Sequence, residues 1–194
     1  MVAARLSEDA KSPNLIELIA LLREDWNAHG RDWSRPGFQA LAIHRFGNWR
    51  MGIAQRPLRM PFSALYRALY RSVRNFYGIE LPYTARIGRR VVFEHQSGIV
   101  IHGCSTIGDD CVVRQGVTLG NRSLQEPNAA PRLGSRVNVG AGAKILGPIV
   151  VGDDVQIGAN SVVLTDVPAG NVAVGVPARL LERRTSSEKS APKP

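Results

Sequence analysis

The chain has 194 residues, 44% of them hydrophobic and 21% charged, and a formal net charge of +9. That length buries a sizeable core and suits one compact unit with a smaller companion, but no run reaches the roughly 20 apolar residues that span a bilayer. The positive excess comes without an aromatic-interleaved basic groove or a recognisable nucleic-acid motif, so no nucleic-acid partner is expected.

Residues 1–12 are polar. Ser12-Pro13 is placed to open a helix, serine as cap and proline in the first turn. Leu15, Ile16, Ile19, Leu22 and Trp26 then fall on one face. Glu17 interrupts this apolar stretch, so no secretory leader is expected there and the protein is read as cytoplasmic. Gly30 and Arg35-Pro36-Gly37 break the chain before a second helix from about Phe38 to Gly52. A third, rich in Tyr and Arg, runs from about Pro61 to Tyr77 and stops at Gly78. An α-helical domain is thus expected over 13–78. Its arginines (Arg45, Arg50, Arg56, Arg59, Arg67, Arg71 and Arg74), with Arg179, Arg183 and Arg184 farther on, form solvated helix faces, attract an anionic cofactor or meet an acidic surface. Charge alone does not choose among these.

From Ile87 onward an aliphatic or aromatic residue recurs at about every sixth position. The series is Ile87, Phe93, Ile101, Ile107, Val113, Leu119, then Leu133, Val139, Ile145, Val151, Ile157 and Val163. A period of six fits neither an amphipathic helix nor an alternating strand. It fits a solenoid in which each hexapeptide supplies a short strand and a turn, and three hexapeptides close one triangular coil. The recurring residue points into the prism, and glycine or another small residue takes the corner. The fold class is therefore mainly β, a left-handed parallel β-helix over 79–178 behind the helical domain, an exception to right-handed crossovers. A polar tail over 179–194 is expected to be disordered from Thr185 on. This architecture usually accompanies acyl transfer from a coenzyme A thioester. Structural, ice-binding and metal-binding solenoids would show threonine faces or several spaced histidines, and the sequence shows neither. No metal is expected, and Cys104 and Cys111 are read as reduced thiols whose spacing does not suit a zinc knuckle.

The repeat is broken between Leu119 and Leu133, so residues 121–132 leave the prism as a loop at a corner, where insertions become binding elements. A smaller, two-residue excess follows His95. The four histidines are His29 and His44 in the helical domain and His95 and His102 in the solenoid. Acylation of a hydroxyl at neutral pH needs a base within reach, and imidazole suits that task. His95 sits at a turn with Glu80 about one coil earlier, where a carboxylate can fix the tautomer of the imidazole. By position alone, a lone solenoid histidine is a solvated turn residue, and His102 keeps that reading.

Several stretches in order resemble the serine acetyltransferases: Gly78-Ile79-Glu80-Leu81, Phe93-Glu94-His95-Gln96-Ser97-Gly98, Gln115-Gly116-Val117-Thr118-Leu119-Gly120, Val139-Gly140-Ala141-Gly142-Ala143-Lys144, Ile157-Gly158-Ala159-Asn160-Ser161 and Val174-Gly175-Val176-Pro177-Ala178-Arg179. The resemblance covers about 13–182. It implies that His95 is the catalytic base, that Glu80 is its acidic partner, and that Glu94 helps hold the amino group of the acceptor. It implies further that Gly120, Ala141 and Ala159 line a channel for acetyl-CoA, the co-substrate, between neighbouring subunits of a homotrimer or dimer of trimers. Small side chains there leave room for a pantetheine arm; solenoid turn geometry alone also accounts for them.

The sequence departs from the family in two places. An Arg-His-Pro tripeptide that contacts the serine carboxylate is replaced here by Ala129-Ala130-Pro131, and the loop opens with Asn121-Arg122. Arg122 or Arg132 is left to supply the positive partner, a charge-assisted pair worth about 1.5–3 kcal/mol. The tail lacks the terminal isoleucine that docks cysteine synthase in the family, so docking is not expected. Acetyl transfer to L-serine, in cysteine biosynthesis, is the first expectation. The alternative acceptor is a sugar hydroxyl in exopolysaccharide or capsule synthesis, as in serine-acetyltransferase-like proteins that read Gly-Asn-Arg in this loop. A non-catalytic scaffold would have no need of a base and carboxylate pair.

Overall fold

A computed structural model describes residues 12–181. The expectations for the first eleven residues and for the tail beyond residue 181, including Arg183, Arg184, the disorder and the docking peptide, lie outside the described residues.

Three helices come first: α1 (Leu15–Ala28), α2 (Pro36–Met51) and α3 (Arg56–Ser72), the last running into a π turn at Val73–Tyr77. The cap of α1 is Asn14, not Ser12. The Asn14 side chain accepts the Glu17 N–H at 2.9 Å and Glu17 accepts the Asn14 N–H at 2.7 Å, a reciprocal pair that outcompetes a lone serine two residues earlier. The expected apolar face of α1 stays largely exposed, with Ile16 at 80% and Ile19 at 59%. Leu18 and Asp25 turn inward instead. Helix α3 starts five residues before Pro61. Pro57 occupies its first turn, where a missing N–H costs nothing, and Pro61 forfeits one bond in the second turn.

The rest is a three-sided prism. Strands β1 (Ile79–Glu80), β4 (Ile99–Ile101), β7 (Thr118–Gly120), β10 (Lys144–Leu146) and β13 (Val162–Val163) form face A. Face B holds β2 (Arg86–Ile87), β5 (Thr106–Ile107), β8 (Arg132–Leu133) and β11 (Val150–Val151). Face C holds β3 (Val92–Glu94), β6 (Val112–Arg114), β9 (Asn138–Val139), β12 (Gln156–Ile157), β14 (Val172–Val174) and β15 (Arg179–Leu181). All pairings are parallel except β14 with β15, where the first residues of the expected tail fold back antiparallel. On face A the register runs Val100↔Thr118, Thr118↔Lys144 and Lys144↔Val162. Coils therefore advance by 18 residues, by 20 where two residues follow His95 (Ile79↔Ile99), and by 26 across the loop. Arg132 is in β8, so the loop is 121–131.

The sixfold series is buried throughout, with Ile87 only partly so. A second inward series two residues earlier (Val91, Ile99, Cys111, Val117, Val137, Ile149, Val155) fills the remaining volume. The corner between faces B and C departs from the small-residue expectation. Arg90, Asp110, Arg136 and Asp154 take it with φ of 55–59°, a left-handed conformation strained for such side chains. Their stacking pairs Arg90 with Asp110 at 2.6 Å and Arg136 with Asp154 at 2.8 Å. Cys111 lies in the core, where burial pushes its thiol up to about 11, and Cys104 is exposed.

Helix α2 clamps the helical domain to the first coil. A Cβ on Gly37 would lie 1.9 Å from the Phe93 carbonyl oxygen, so only glycine permits this approach. Asp25 and Arg45 form a buried ion pair at 2.9 Å, and Arg45 also donates to the carbonyls of Ile87 at 2.7 Å and Gly88 at 2.5 Å. His29 accepts the Phe93 N–H at 3.3 Å on Nε2, so Nδ1 carries the proton it donates to the Asp25 carbonyl at 2.7 Å. His44 Nε2 donates to the Ala85 carbonyl at 2.9 Å.

Burial is the leading cause that depresses both imidazoles, His44 to about 3. Below the ordinary histidine range near 6.5 the unfolded chain therefore takes up protons that the folded chain refuses. Stability is full above about pH 6.5 and should fall by up to about 1.4 kcal/mol per pH unit for His44 as pH drops toward 3. Asp25, whose carboxyl burial pushes up, offsets part of this at the acid end. Thermal unfolding at pH 7.5 and pH 5 measures the loss. His44→Gln keeps an N–H donor for Ala85 without titrating and should flatten the dependence.

Candidate active site

One corner of the prism, where face C turns into face A, carries His95, Ala141 and Ala159. Its stacked turns are residues 95–98, 115–116, 141–142 and 159–160. They are tied by Gly116 N–H to Ser97 O at 2.9 Å, Gly142 N–H to Gln115 O at 2.8 Å and Asn160 N–H to Ala141 O at 2.8 Å. His95, Ala141 and Ala159 thus share one column, His95 at the top. The two extra residues of its coil place His95 and Ser97 at φ 66° and 85°, and the imidazole is exposed without a hydrogen bond. A bulky residue held in the left-handed region marks a site where the surrounding fold imposes the conformation.

Glu80 lies on face A, in the outward register Glu80–Val100–Thr118–Lys144–Val162. It is half-buried beside Tyr70, whose phenol is pushed up to about 12 by burial and then by the Glu80 charge. Glu80 and His95 make no hydrogen bond to each other. Lys144, which the repeat pattern hides among outward positions, bonds the Gly116 carbonyl and, at 3.1 Å, Thr118 Oγ1, fixing a cation on this face. Glu94 is half-buried and already paired: the Arg114 Nε, one coil below in register, is 2.9 Å away. An amino group binding there competes with a guanidinium. His102 is half-buried, and its Nδ1 accepts the Cys104 N–H at 3.2 Å, so it braces a turn.

Gly120 stands at the opposite edge of face A. A Cβ there would meet Leu146 and Thr118 at 3.5 Å, an ordinary contact. The solenoid itself therefore does not demand glycine at 120, which separates it from the turn glycines. The loop over 121–131 leaves from this edge, held by Asn121 to the Ser123 carbonyl at 3.0 Å and Ala129 N–H to the Glu126 carbonyl at 3.0 Å. Arg122 is exposed against Gly147, at the face A to face B corner. Arg132 is exposed at the start of β8 on face B, directly after the loop. Ala130 is buried, at 6% exposure. Within one chain the loop and His95 occupy opposite edges of face A; they are not brought together. Among the described residues no group of three or more metal-ligating side chains occurs, and no helix is long and apolar enough to cross a membrane.

Residues 130–165 match the bacterial transferase hexapeptide (six repeats) family. With the left-handed β-helix, this makes the protein a hexapeptide-repeat acyltransferase. Over 148 residues, 76% of the chain, it is 43% identical to a serine acetyltransferase of Helicobacter pylori, spanning 82% of that protein. Identity is also 43% to a serine acetyltransferase of Synechococcus elongatus, of which it spans 58%. The crystal structure of a Brucella abortus serine acetyltransferase in complex with coenzyme A superposes with a TM-score of 0.74 at 30% identity, covering 88% of this chain and 70% of that one. The chain belongs to the serine acetyltransferase family.

Proposed function

We propose that the protein transfers the acetyl group of acetyl-CoA directly to the hydroxyl of L-serine, releasing O-acetyl-L-serine and coenzyme A. The observation that carries this is the exposed, left-handed His95 at the head of the column that also holds Ala141 and Ala159. His95 takes the proton of the acceptor hydroxyl as the oxygen attacks the thioester carbonyl, and returns it to the departing thiolate. Glu80, on the adjoining face, supplies the negative charge that favours the imidazolium formed in between. The small residues of the corner column and Gly120 leave face A open along its length for the pantetheine arm.

His95 and the loop lie on opposite edges of one face, so a site that uses both takes its second wall from a neighbouring chain. This reading makes the protein a homotrimer or a dimer of trimers, and Leu124, 94% exposed in the loop, is a side chain free to dock on that neighbour. Full activity from a monomer at micromolar concentration, seen by sedimentation, would contradict it. A cytoplasmic location accords with the free thiols Cys104 and Cys111.

Arg122 is the better candidate for the serine carboxylate, since Arg132 projects from face B. Arg122→Gln should raise the KM for serine about tenfold or more with little change in kcat, and Arg132→Gln should do neither. Thiol release from acetyl-CoA, measured against L-serine and a panel of sugars, tests the acceptor. Release with a sugar and none with serine would replace the serine reading by the exopolysaccharide one.

A further inference from the structure

Arg50 ends α2 with its side chain in an uncommon place for a cation. It is only 7% exposed, and its guanidinium lies between the rings of Tyr66, 4.4 Å from the centroid, and Tyr83, 4.5 Å. Nη1 donates to Ser63 Oγ at 3.0 Å and to Met51 Sδ at 3.3 Å, but among the described residues the buried Nε has no hydrogen-bond partner and no carboxylate pairs with the group. A cavity of about 420 Å³ opens beside it, lined also by Arg59, Ser63, Tyr66, Arg67 and Tyr83.

Arg59, Ser63 and Arg67 recur at four-residue spacing on one side of α3, and residues 51–79 contain no Asp or Glu. A buried cation without a counter-charge is unfavourable. The carbonyl end of α2 offsets only part of that cost. What the arrangement lacks among the described residues is an anion. Two tyrosine rings at right angles to each other hold the Arg50 guanidinium in place, and guanidinium forks match the oxygens of a phosphate.

We propose that this cavity binds a phosphate-class oxyanion, either the free ion or the end of a small phosphorylated metabolite. Small-molecule pockets run to roughly 300–1,000 Å³, so the volume admits the larger of the two. Because the Tyr83 N–H donates to the Tyr66 hydroxyl at 3.1 Å, an anion lodged here ties α3 to the first coil of the solenoid.

Inorganic phosphate and glycerol phosphate are titrated separately into the full chain at constant ionic strength, with chloride as the balancing salt, by calorimetry and by thermal unfolding. Saturable binding of one anion per chain and a rise in Tm that chloride does not reproduce are expected. Tighter binding of the ester identifies a metabolite, and phosphate binding without ester binding identifies the free ion. Among the described residues neither Arg59 nor Arg67 makes a side-chain hydrogen bond or ion pair, so the Arg59→Gln, Arg67→Gln double variant should fold and acetylate normally while binding phosphate about tenfold more weakly or worse. Absence of saturable binding at tens of millimolar, equal binding by the double variant, or equal stabilisation by chloride would each overturn the proposal.

Discussion

Replacing His95 is expected to lower turnover by about a hundredfold or more, the usual contribution of a positioned general base. The imidazole is exposed and makes no hydrogen bond, so the loss should come without unfolding. Its backbone, at φ 66°, restricts the choice of variant. His95→Ala adds strain, whereas His95→Asn keeps a residue that tolerates the left-handed region and cannot act as a base. Both variants should lose turnover alike, retain coenzyme A binding, and melt near the wild-type temperature. Glu80→Gln should cost less, since it removes a charge that steadies the imidazolium and leaves the base in place. Wild-type turnover in His95→Asn would remove the assigned mechanism altogether.

The prism was legible in the sequence because the period of six has no competing explanation. The inward residues at that period are the ones the structure buries. The two spacing anomalies, after Phe93 and after Leu119, are the two long coils. Less legible was whatever depends on a partner far away in sequence. The second inward series alternates with the first, but Ser105 and Cys111 interrupt its apolar character. The charged corner of Arg90, Asp110, Arg136 and Asp154 breaks the expectation of small corner residues, because stacking pairs opposite charges from successive coils. Arg132 was counted with the loop because a strand of two residues has no signature of its own. His95 stood out through resemblance; its left-handed backbone is shared by other turn residues of the prism, such as Arg90 and Asp110, and does not single it out. The separation of His95 from the loop across face A could not be read from a linear chain at all.

The inward turn of α1 has the same origin. Periodicity favoured the stripe of Leu15, Ile16 and Ile19, yet Asp25 faces inward because its partner, Arg45, lies on α2 and reaches on to the first coil. Burial pushes the Asp25 carboxyl up, while the hydrogen bond and charge of Arg45 pull it back. Breaking such a pair strands the remaining charge, at a cost of about 3–5 kcal/mol, although an apolar pair of similar volume can be nearly neutral. Asp25→Ala should therefore lower the unfolding free energy by that amount in denaturant titrations. Arg45→Ala should cost at least as much, since it also releases the carbonyls of Ile87 and Gly88. In the double variant Asp25→Leu, Arg45→Met much of the loss should return, and a cycle of these substitutions should show strong coupling. Additive losses would mean that the ion pair is not the clamp. A neighbouring contact carries the clamp toward His95: His29 donates to the Asp25 backbone carbonyl and accepts the Phe93 N–H, and Phe93 is two residues from His95. Loosening the clamp should therefore lower kcat at temperatures well below the melting transition, which a purely remote stabilising pair would leave unchanged.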